Sequence, residues 1–423
     1  MKTVLVLAVH FPPSGGVGVI RTLKFIKYLP DFGWKPIVVT LPEGATKRVE
    51  DRSLLEKVPD GTEIHRPPFY DYRKVIGGDI ARLLKPLLNR IHFPDKYIQW
   101  NHYAFNYISK KILPKLKVDL AYTSVGPHST MLLAHKLKKH FDIPVVVDFR
   151  DPFSFSQYNL LDAEKSRQSK AEKIEQSVFR DADHIINVSR LWKEKYERLY
   201  PGIVHKSSLI HNGYDEDDFA FLPTYEKGDC LTLGYNGTFS RLVPLEPLLT
   251  AIAEIHRRHG ISIRLNIATP ISKRKLVSGH AYLFENNLVE YKGFLPHKES
   301  LAYLQRSDVA VLILNDIPAT EGMIPAKTFE YLRINKPIFL VHQKKGHLSE
   351  IIEQTHTGLA VNINDQAEII RALMSLQQQW KQNNFDYKPA KHEIAKFERK
   401  HLTGMLSRIF DEIYALNNNK LDL

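Results

Sequence analysis

Residues 307–341 read SDVAVLILNDIPATEGMIPAKTFEYLRINKPIFLV. An apolar run, Val309–Leu314, leads into a polar, proline-containing loop, an amphipathic stretch and a second apolar run, Pro337–Val341. Both runs are short and apolar on both faces, as strands read when helices cover both sides of a parallel sheet. The segment is therefore a β-α-β unit. Pro325 suits a helix's first turn, where its missing N–H costs nothing. Lys327 stands in the same turn, where the positive end of the helix dipole repels a cation. That placement makes sense if an anion binds beside it. Glu330, one turn later, can reach the same spot, where a carboxylate can accept two ribose hydroxyls.

Outward from this unit the same rhythm runs along the whole chain. Strand-like runs in the first half are Thr3–Val9, Pro36–Thr40, Leu120–Ser124, Val145–Phe149, His184–Ser189 and Ser208–His211. The second half adds Leu231–Asn236, Ile263–Ala268, Leu288–Tyr291 and Leu359–Ile363 around the unit quoted above. Helix-length amphipathic segments fall between them. A polar, acidic stretch from His211-Asn212-Gly213 to Asp229 separates two such series and reads as a linker. The prediction is an α/β protein of two doubly wound domains, with a final helix from about Lys391 to Leu416. That helix carries Leu402, Leu406, Ile409, Phe410 and Ile413 at helical spacing, and Asn417–Asn419 reads as a frayed tail. Ligands of such sheets bind outside the carboxyl ends of the strands, so chemistry is sought immediately after each strand.

Bulk properties narrow the function. The single cysteine, Cys230, rules out intramolecular disulfides and zinc–thiolate clusters, and fits a reducing cytoplasm. The run Val4–Val9 lacks a cleavage pattern and reads as a buried strand rather than a signal peptide. No stretch approaches the roughly 20 apolar residues of a membrane span, so the expected protein is soluble or bound at a membrane surface. A net charge of +12 fits a basic solvated surface, or attraction to nucleic acid, anionic lipid or an anionic small substrate. No nucleic-acid-binding motif or interleaved aromatic–basic stripe is present. Residues 73–92, RKVIGGDIARLLKPLLNRIH, hold five basic residues, one acidic residue and a helical apolar stripe interrupted by Pro86. Such a segment can lie on an anionic membrane or pack as an ordinary helix.

Strand ends supply the candidate residues. The first strand leads into His10-Phe11-Pro12-Pro13-Ser14-Gly15-Gly16-Val17-Gly18, where glycines allow close backbone approach to a ligand and a helix start offers N–H groups to an anion. This is not the dinucleotide fingerprint, and no acidic residue ends the second strand, so a nicotinamide cofactor is not expected. His128 follows a strand within Gly126-Pro127-His128, in position for a functional role or for a surface or core histidine. Asp148, Arg150 and Asp151 put three charges at a strand end, which requires pairing or a cleft. Arg150 either braces the loop or meets substrate. The second half opens with Asn236-Gly237-Thr238-Phe239-Ser240-Arg241, a glycine turn beside a guanidinium that can grip a diphosphate.

Taken together, FPPSGGVG, GPHST, DFRDPF, ADHIINVS, IHNGYD, YNGTF, VEYKGFLPHKE, SDVAVLIL and PAKTFEYLRINKPI, in this order and spacing, resemble glycosyltransferase family 4 over essentially the whole length. The resemblance implies the GT-B fold: two Rossmann-like domains facing a central cleft, with the C-terminal helix crossing back to the first. It divides the chain into an acceptor-binding domain, 1–208, a nucleotide-sugar-binding domain, 209–388, and a returning helix, 389–423. It implies a hexosyl- or related transferase of EC class 2.4, retaining and metal-independent. The donor would be a UDP- or GDP-linked sugar. The acceptor would be a glycan or lipid carrier in cell-surface polysaccharide synthesis, in the cytoplasm or peripherally on the inner membrane face. By position, Arg241 matches the family's diphosphate arginine and Glu330 its ribose glutamate. His128, Arg241 and Lys327 become the catalytic candidates. Gly16, Gly237, Thr238, Phe294, Leu295, Ile324, Pro325, Ala326 and Glu330 become donor contacts; Gly15, Gly18, Arg150 and Asp151 lie on the acceptor side; no metal ligand is implied.

Two positions depart from the family pattern. Gly322 stands where the first of two paired glutamates is usual, with Glu321 offset by one, and Glu246 stands where a lysine is usual. Lys327 can supply the missing cation. The departures leave room for a sugar-nucleotide epimerase or phosphorylase of the same fold, or for a nucleotide-sugar-binding protein without activity.

Overall fold

The β-branched runs form two separate parallel sheets, each the centre of its own unit. A computed structural model describes residues 1–45, 50–69, 92–155, 165–220, 222–317, 320–343 and 346–421. The basic segment 73–92 falls, except for His92, outside the described residues. The chain divides into one unit of residues 1–212 with 399–423 and a second of residues 213–398.

The first unit runs β1 (Lys2–Leu7), α1 (Val17–Tyr28), β2 (Trp34–Val39), β3 (Glu63–His65), α2 (Ile98–Tyr107), β4 (Leu120–Val125), α3 (Ser129–Phe141), β5 (Val145–Phe149), α4 (Lys165–Asp181), β6 (His184–Asn187), α5 (Arg190–Leu199) and β7 (Ser207–Leu209). Its sheet has the order β3-β2-β1-β4-β5-β6-β7, with every pairing parallel. Val4, Leu5, Val6 and Leu7 have no exposed surface, as a central strand covered on both faces requires. The three-residue β3 is an edge strand with a polar-apolar-polar sequence and half-buried side chains, so no apolar run announces it.

The terminal helix, Arg399–Leu421, packs on this same unit. Leu402, Leu406, Ile409, Phe410 and Ile413 join Leu23, Phe25 and Trp34 in one buried cluster. Trp34 meets Phe410 edge-on at 5.2 Å, and its indole N–H donates to Asp411 at 3.0 Å. The helix is shorter at its start than the apolar spacing predicts. A five-residue turn, Lys391–Ala395, belongs to the second unit, and the long helix begins only at Arg399. At the other end it continues through Asn417–Asn419, where Asn417 returns its amide N–H to the Ile413 carbonyl at 2.9 Å.

The second unit runs β8 (Leu231–Asn236), α6 (Glu246–His259), β9 (Ile263–Ala268), β10 (Val289–Gly293), α7 (His297–Gln305), β11 (Val309–Ile313), α8 (Lys327–Arg333), β12 (Ile338–His342), α9 (His347–Gln354), β13 (Gly358–Asn362) and α10 (Gln366–Lys381). Its parallel sheet has the order β10-β9-β8-β11-β12-β13. In both units the winding reverses beside the first strand, between β1 and β4 and between β8 and β11. Such a switch point opens a crevice at the carboxyl ends of the strands. The segment read as a linker is tied to this unit: Tyr225 donates to Asp308, and Lys227 donates to the Trp380 carbonyl at 2.7 Å. Among the described residues, no helix is long and apolar enough to cross a membrane.

Candidate functional site

At the switch point of the second sheet, the end of β8 and the start of α8 meet. Lys327 Nζ donates to the Asn236 carbonyl at 3.1 Å and lies 3.8 Å from the centre of the Tyr235 ring. Gly237, at φ +130°, turns the chain directly beside it; a methyl group there would stand 3.4 Å from Nζ. Burial pulls the Lys327 amine down from its usual range to about 7, with Glu330 opposing that shift. The ammonium thus has a carbonyl and a ring face but, among the described residues, no carboxylate within salt-bridge distance. Asn236 is fixed by its own bonds: its N–H donates to the Tyr331 hydroxyl at 3.0 Å and its amide to the Ser300 carbonyl at 2.6 Å. Its Oδ1 and the Thr328 hydroxyl are buried without a hydrogen-bond partner.

One turn along α8, Glu330 Oε1 lies 2.7 Å from His297 Nε2, which donates because a carboxylate only accepts. Sequence reasoning named Glu330 but not His297. The histidine opens α7, 33 residues away, and only the fold brings it under the carboxylate. Of the other expected donor contacts, Ile324 is buried, Pro325 and Ala326 are half-buried, and Ala326 caps α8. Thr238 is exposed and accepts the Tyr235 hydroxyl through its carbonyl at 2.6 Å. Phe294 and Leu295 follow β10; Phe294 is 54% exposed, unusual for a phenylalanine with nothing to cover. Arg241 lies in an exposed turn, where its carbonyl accepts from Asn315 at 2.8 Å and its guanidinium bonds to no described residue. Glu246 pairs instead with His280, at 2.8 Å.

The first unit treats its cations differently. Arg150 donates from Nε to the Val125 carbonyl at 3.1 Å and from its other nitrogens to the carbonyls of Gly18 and Gly126. Gly18 and Gly126 have no side chain because the guanidinium fills that space. A methyl group on them would come within 2.8 and 2.5 Å of it. Arg150 therefore braces the loops after β4 and at the start of α1, while Asp151 beside it is exposed. Asp148 forms a fully buried two-pronged pair with Arg21, at 2.6 and 2.9 Å, and accepts the Tyr122 hydroxyl at 2.5 Å. Burial lowers the Arg21 pKa, but Asp148 outweighs it and the net shift is upward. Arg21 also donates to the carbonyls of Ile210 and His211, which ties α1 to the end of the unit. The sequence marks Asp148 as a charge that needs a partner, but not Arg21 as that partner.

Gly16, at φ +97°, starts α1 with no side-chain cap, and Gly15 is buried beside it. His128 stacks on Phe153 at 4.5 Å and 27°. Burial lowers its pKa to about 4, so the ring is neutral at neutral pH; its Nε2 is buried and unpartnered. Among the described residues, no group of three or more His, Cys, Asp or Glu side chains is arranged to hold a metal ion.

Two parallel, doubly wound sheets, each with its switch point beside the first strand, are the architecture of the GT-B class, and comparison with known proteins agrees. The family described as Glycosyltransferase Family 4 matches residues 14–218, and Glycosyl transferases group 1 matches residues 231–379. The chain belongs to this glycosyltransferase family. Its fold is similar to that of sucrose-phosphate synthase from Thermosynechococcus elongatus, with a TM-score of 0.67 at 16% identity over 98% of this chain and 100% of that one. It is also similar to S. aureus MnaA solved with UDP (TM-score 0.56, 14% identity, 99% and 97% covered). A third is the catalytic domain of starch synthase IV from Arabidopsis thaliana bound to ADP and acarbose (TM-score 0.60, 12% identity, 98% of each). At these identities the likeness is one of fold. No curated protein matches the chain by sequence.

Proposed function

We propose that this glycosyltransferase takes its sugar from a nucleotide-diphosphate donor held by the second unit and passes it to a hydroxyl of a glycan or lipid-linked acceptor. The observation that carries the reading is Lys327: a cation at a sheet's switch point, next to a glycine turn, with no anion of its own. A diphosphate is the ligand that completes it. Glu330, oriented by His297, would accept the ribose hydroxyls, and Asn236 and Gly237 would line the phosphate path. Phe294 and Leu295 fit the base, which UDP or GDP would supply. Arg241, free in its turn, would close on the phosphates when donor binds.

In the transfer, the bond from the anomeric carbon to the diphosphate oxygen breaks. A new bond forms from that carbon to the acceptor oxygen, and the acceptor's proton passes to the departing diphosphate oxygen. Lys327 and Arg241 would stabilise the charge gathering on the leaving diphosphate, the task of fixed electrostatics in a partly dry site. Cations of the chain would serve where other enzymes use a metal, and retention of configuration follows the family. The first unit would take the acceptor, with Gly15, Gly16, Gly18 and Asp151 near it, Arg150 shaping the loops, and neutral His128 offering a lone pair to a hydroxyl. A role in cell-surface polysaccharide synthesis at the inner membrane face is consistent with the net charge of +12.

Incubation with UDP-, GDP- and ADP-sugars, followed by detection of released nucleoside diphosphate, tests the reading. Release that depends on Lys327 and requires an acceptor supports transfer. An epimerised sugar formed without acceptor, or binding with no turnover in any mixture, would replace it with one of the two alternatives.

A further inference from the structure

Beside α6, on the solvent side of the second unit, lies an open cleft of about 370 Å³. The helix turns Leu248, Leu249, Ile252 and Ile255 into the core and leaves Glu246, Thr250, Glu254 and Arg258 outward at four-residue spacing. The facing wall is Gly279-His280 and the single turn Ala281–Glu285, in which Leu283 is buried and Tyr282 half-buried. The charges of this cleft are not treated alike. Glu246 holds His280 at 2.8 Å, and Glu254 holds Arg258 at 3.0 Å. Arg257 has neither a carboxylate partner nor a hydrogen bond among the described residues. Its guanidinium lies over the Tyr282 ring, 4.1 Å from the ring centre, and the Tyr282 hydroxyl is fixed 2.7 Å from His256 Nδ1. Contact with a ring face orients a guanidinium without spending its N–H groups. Arg257 is thus a positioned, exposed cation with its donors open to the cleft.

We propose that this cleft is a carbohydrate site, separate from the donor pocket, for a sugar that bears one carboxylate or phosphate group. The chemistry of the walls selects that class. A guanidinium fork pairs two-pronged with a carboxylate or a phosphate. Glu246 and Glu254 only accept hydrogen bonds, so they call for hydroxyl donors, and the Thr250 hydroxyl gives or takes one. A bare anion would meet two carboxylates and satisfy neither. A neutral sugar would leave Arg257 unspent. A polyol with an anion at one end satisfies both kinds of group. The full charge of Arg257 exceeds the opposing charge of roughly one half that the end of a helix carries. From Thr250 to Arg257 the wall runs about 10 Å along the helix axis, the scale of one hexose with its anionic group. None of the lining residues belongs to the site around Lys327 and Glu330, so the inference stands whether or not the donor is held there. Two sources offer this chemistry: a free sugar phosphate and an acidic residue of a glycan chain.

The test titrates the full-length protein calorimetrically with glucose 6-phosphate and with a tetrasaccharide of alternating glucuronate and N-acetylglucosamine. Glucose and inorganic phosphate are the controls. At least one of the two acidic sugars is expected to bind, and more tightly than either control. Tighter binding of glucose 6-phosphate names the free sugar phosphate as the ligand; tighter binding of the tetrasaccharide names the glycan. Arg257→Ala, at an exposed position with little risk to folding, should lower that affinity roughly tenfold or more. Arg257→Lys should restore only part of it, because an ammonium has no fork. Glu254→Gln should weaken the acidic sugar while inorganic phosphate binds no less well than before. Lys327→Ala should bind the acidic sugar as the parent does. The proposal is overturned if neither acidic sugar binds, or if inorganic phosphate or glucose binds as tightly as they do. It is also overturned if Arg257→Ala binds as the parent does, or if the loss follows Lys327→Ala instead, which would place the ligand in the donor pocket.

Discussion

At the carboxyl edge of the first sheet, Arg21 and Arg150 spend their donors on Asp148 and on the carbonyls of Gly18, Val125, Gly126, Ile210 and His211. At the same edge of the second sheet, Lys327 has one carbonyl and the face of Tyr235. The two sheets share a strand order and a switch point, yet one carries cations that are structurally complete and the other a cation that is not. A charge whose bonds are filled belongs to the fold; on the proposed reading, one whose bonds are open serves a ligand. That distinction sorts residues which look alike in sequence, since Arg150 and Lys327 both follow a strand and both stand near a glycine.

The largest effect expected from this contrast is on stability. Asp148→Ala leaves Arg21 as an uncompensated buried charge and should cost about 3–5 kcal/mol, read by urea unfolding. A loss below about 1 kcal/mol would mean the node is not the brace described.

Next comes Lys327→Ala. Turnover should fall roughly 10²- to 10³-fold, while the melting temperature holds or rises because a poorly matched cation is gone. A variant that unfolds but, when folded, turns over normally would reverse the contrast.

Third is pH. In the ligand-free chain Lys327 titrates near 7, and a bound diphosphate would hold it protonated. Below pH 7 the amine is already charged and affinity is flat. Above it, binding must take up a proton, so donor affinity should drop by up to about tenfold per pH unit. Calorimetry in buffers of different ionisation enthalpy reads that proton directly. The same shift acts on folding with a definite sign. The unfolded chain holds the proton up to its ordinary value of 10.5, so between 7 and 10.5 it binds more protons than the folded chain, and this lysine's contribution to stability rises with pH.

The smallest effect should come from His297→Ala, which frees Glu330 to turn. A KM for donor raised about three- to tenfold, with kcat nearly unchanged, is expected from the loss of one charge-assisted hydrogen bond. An equal fall in kcat would assign the histidine to the transition state.

What the sequence made legible follows from range. The runs at β5, β8 and β9 match the structure residue for residue: β5 opens on three valines, and β8 and β9 keep an apolar residue at every second position around Thr232, Arg264 and Asn266. β3 escaped because three residues at an edge need no such signal. Lys327 stood out because a cation in a first helical turn is locally unfavourable. Asp148 stood out as a charge in need of a partner, but Arg21 as that partner did not, since the two stand 127 positions apart. His297 escaped for the same reason, and Arg150 was left between two roles because only its bond partners decide between them. The start of the terminal helix was misjudged because residues 391–398 hold no glycine or proline to announce a break, while Ile394 and Phe397 pack into the second unit.

The terminal helix has one further consequence, for the order in which the protein can be made. Residues 399–421 cover Trp34 and Phe25 in the first unit, yet they leave the ribosome after the whole of the second. The unit begun first is therefore completed last. Until then Trp34 and the outer side of α1 lack the side chains that cover them, a state in which aromatic surface invites association with other chains. The second unit, continuous in sequence, has no such wait.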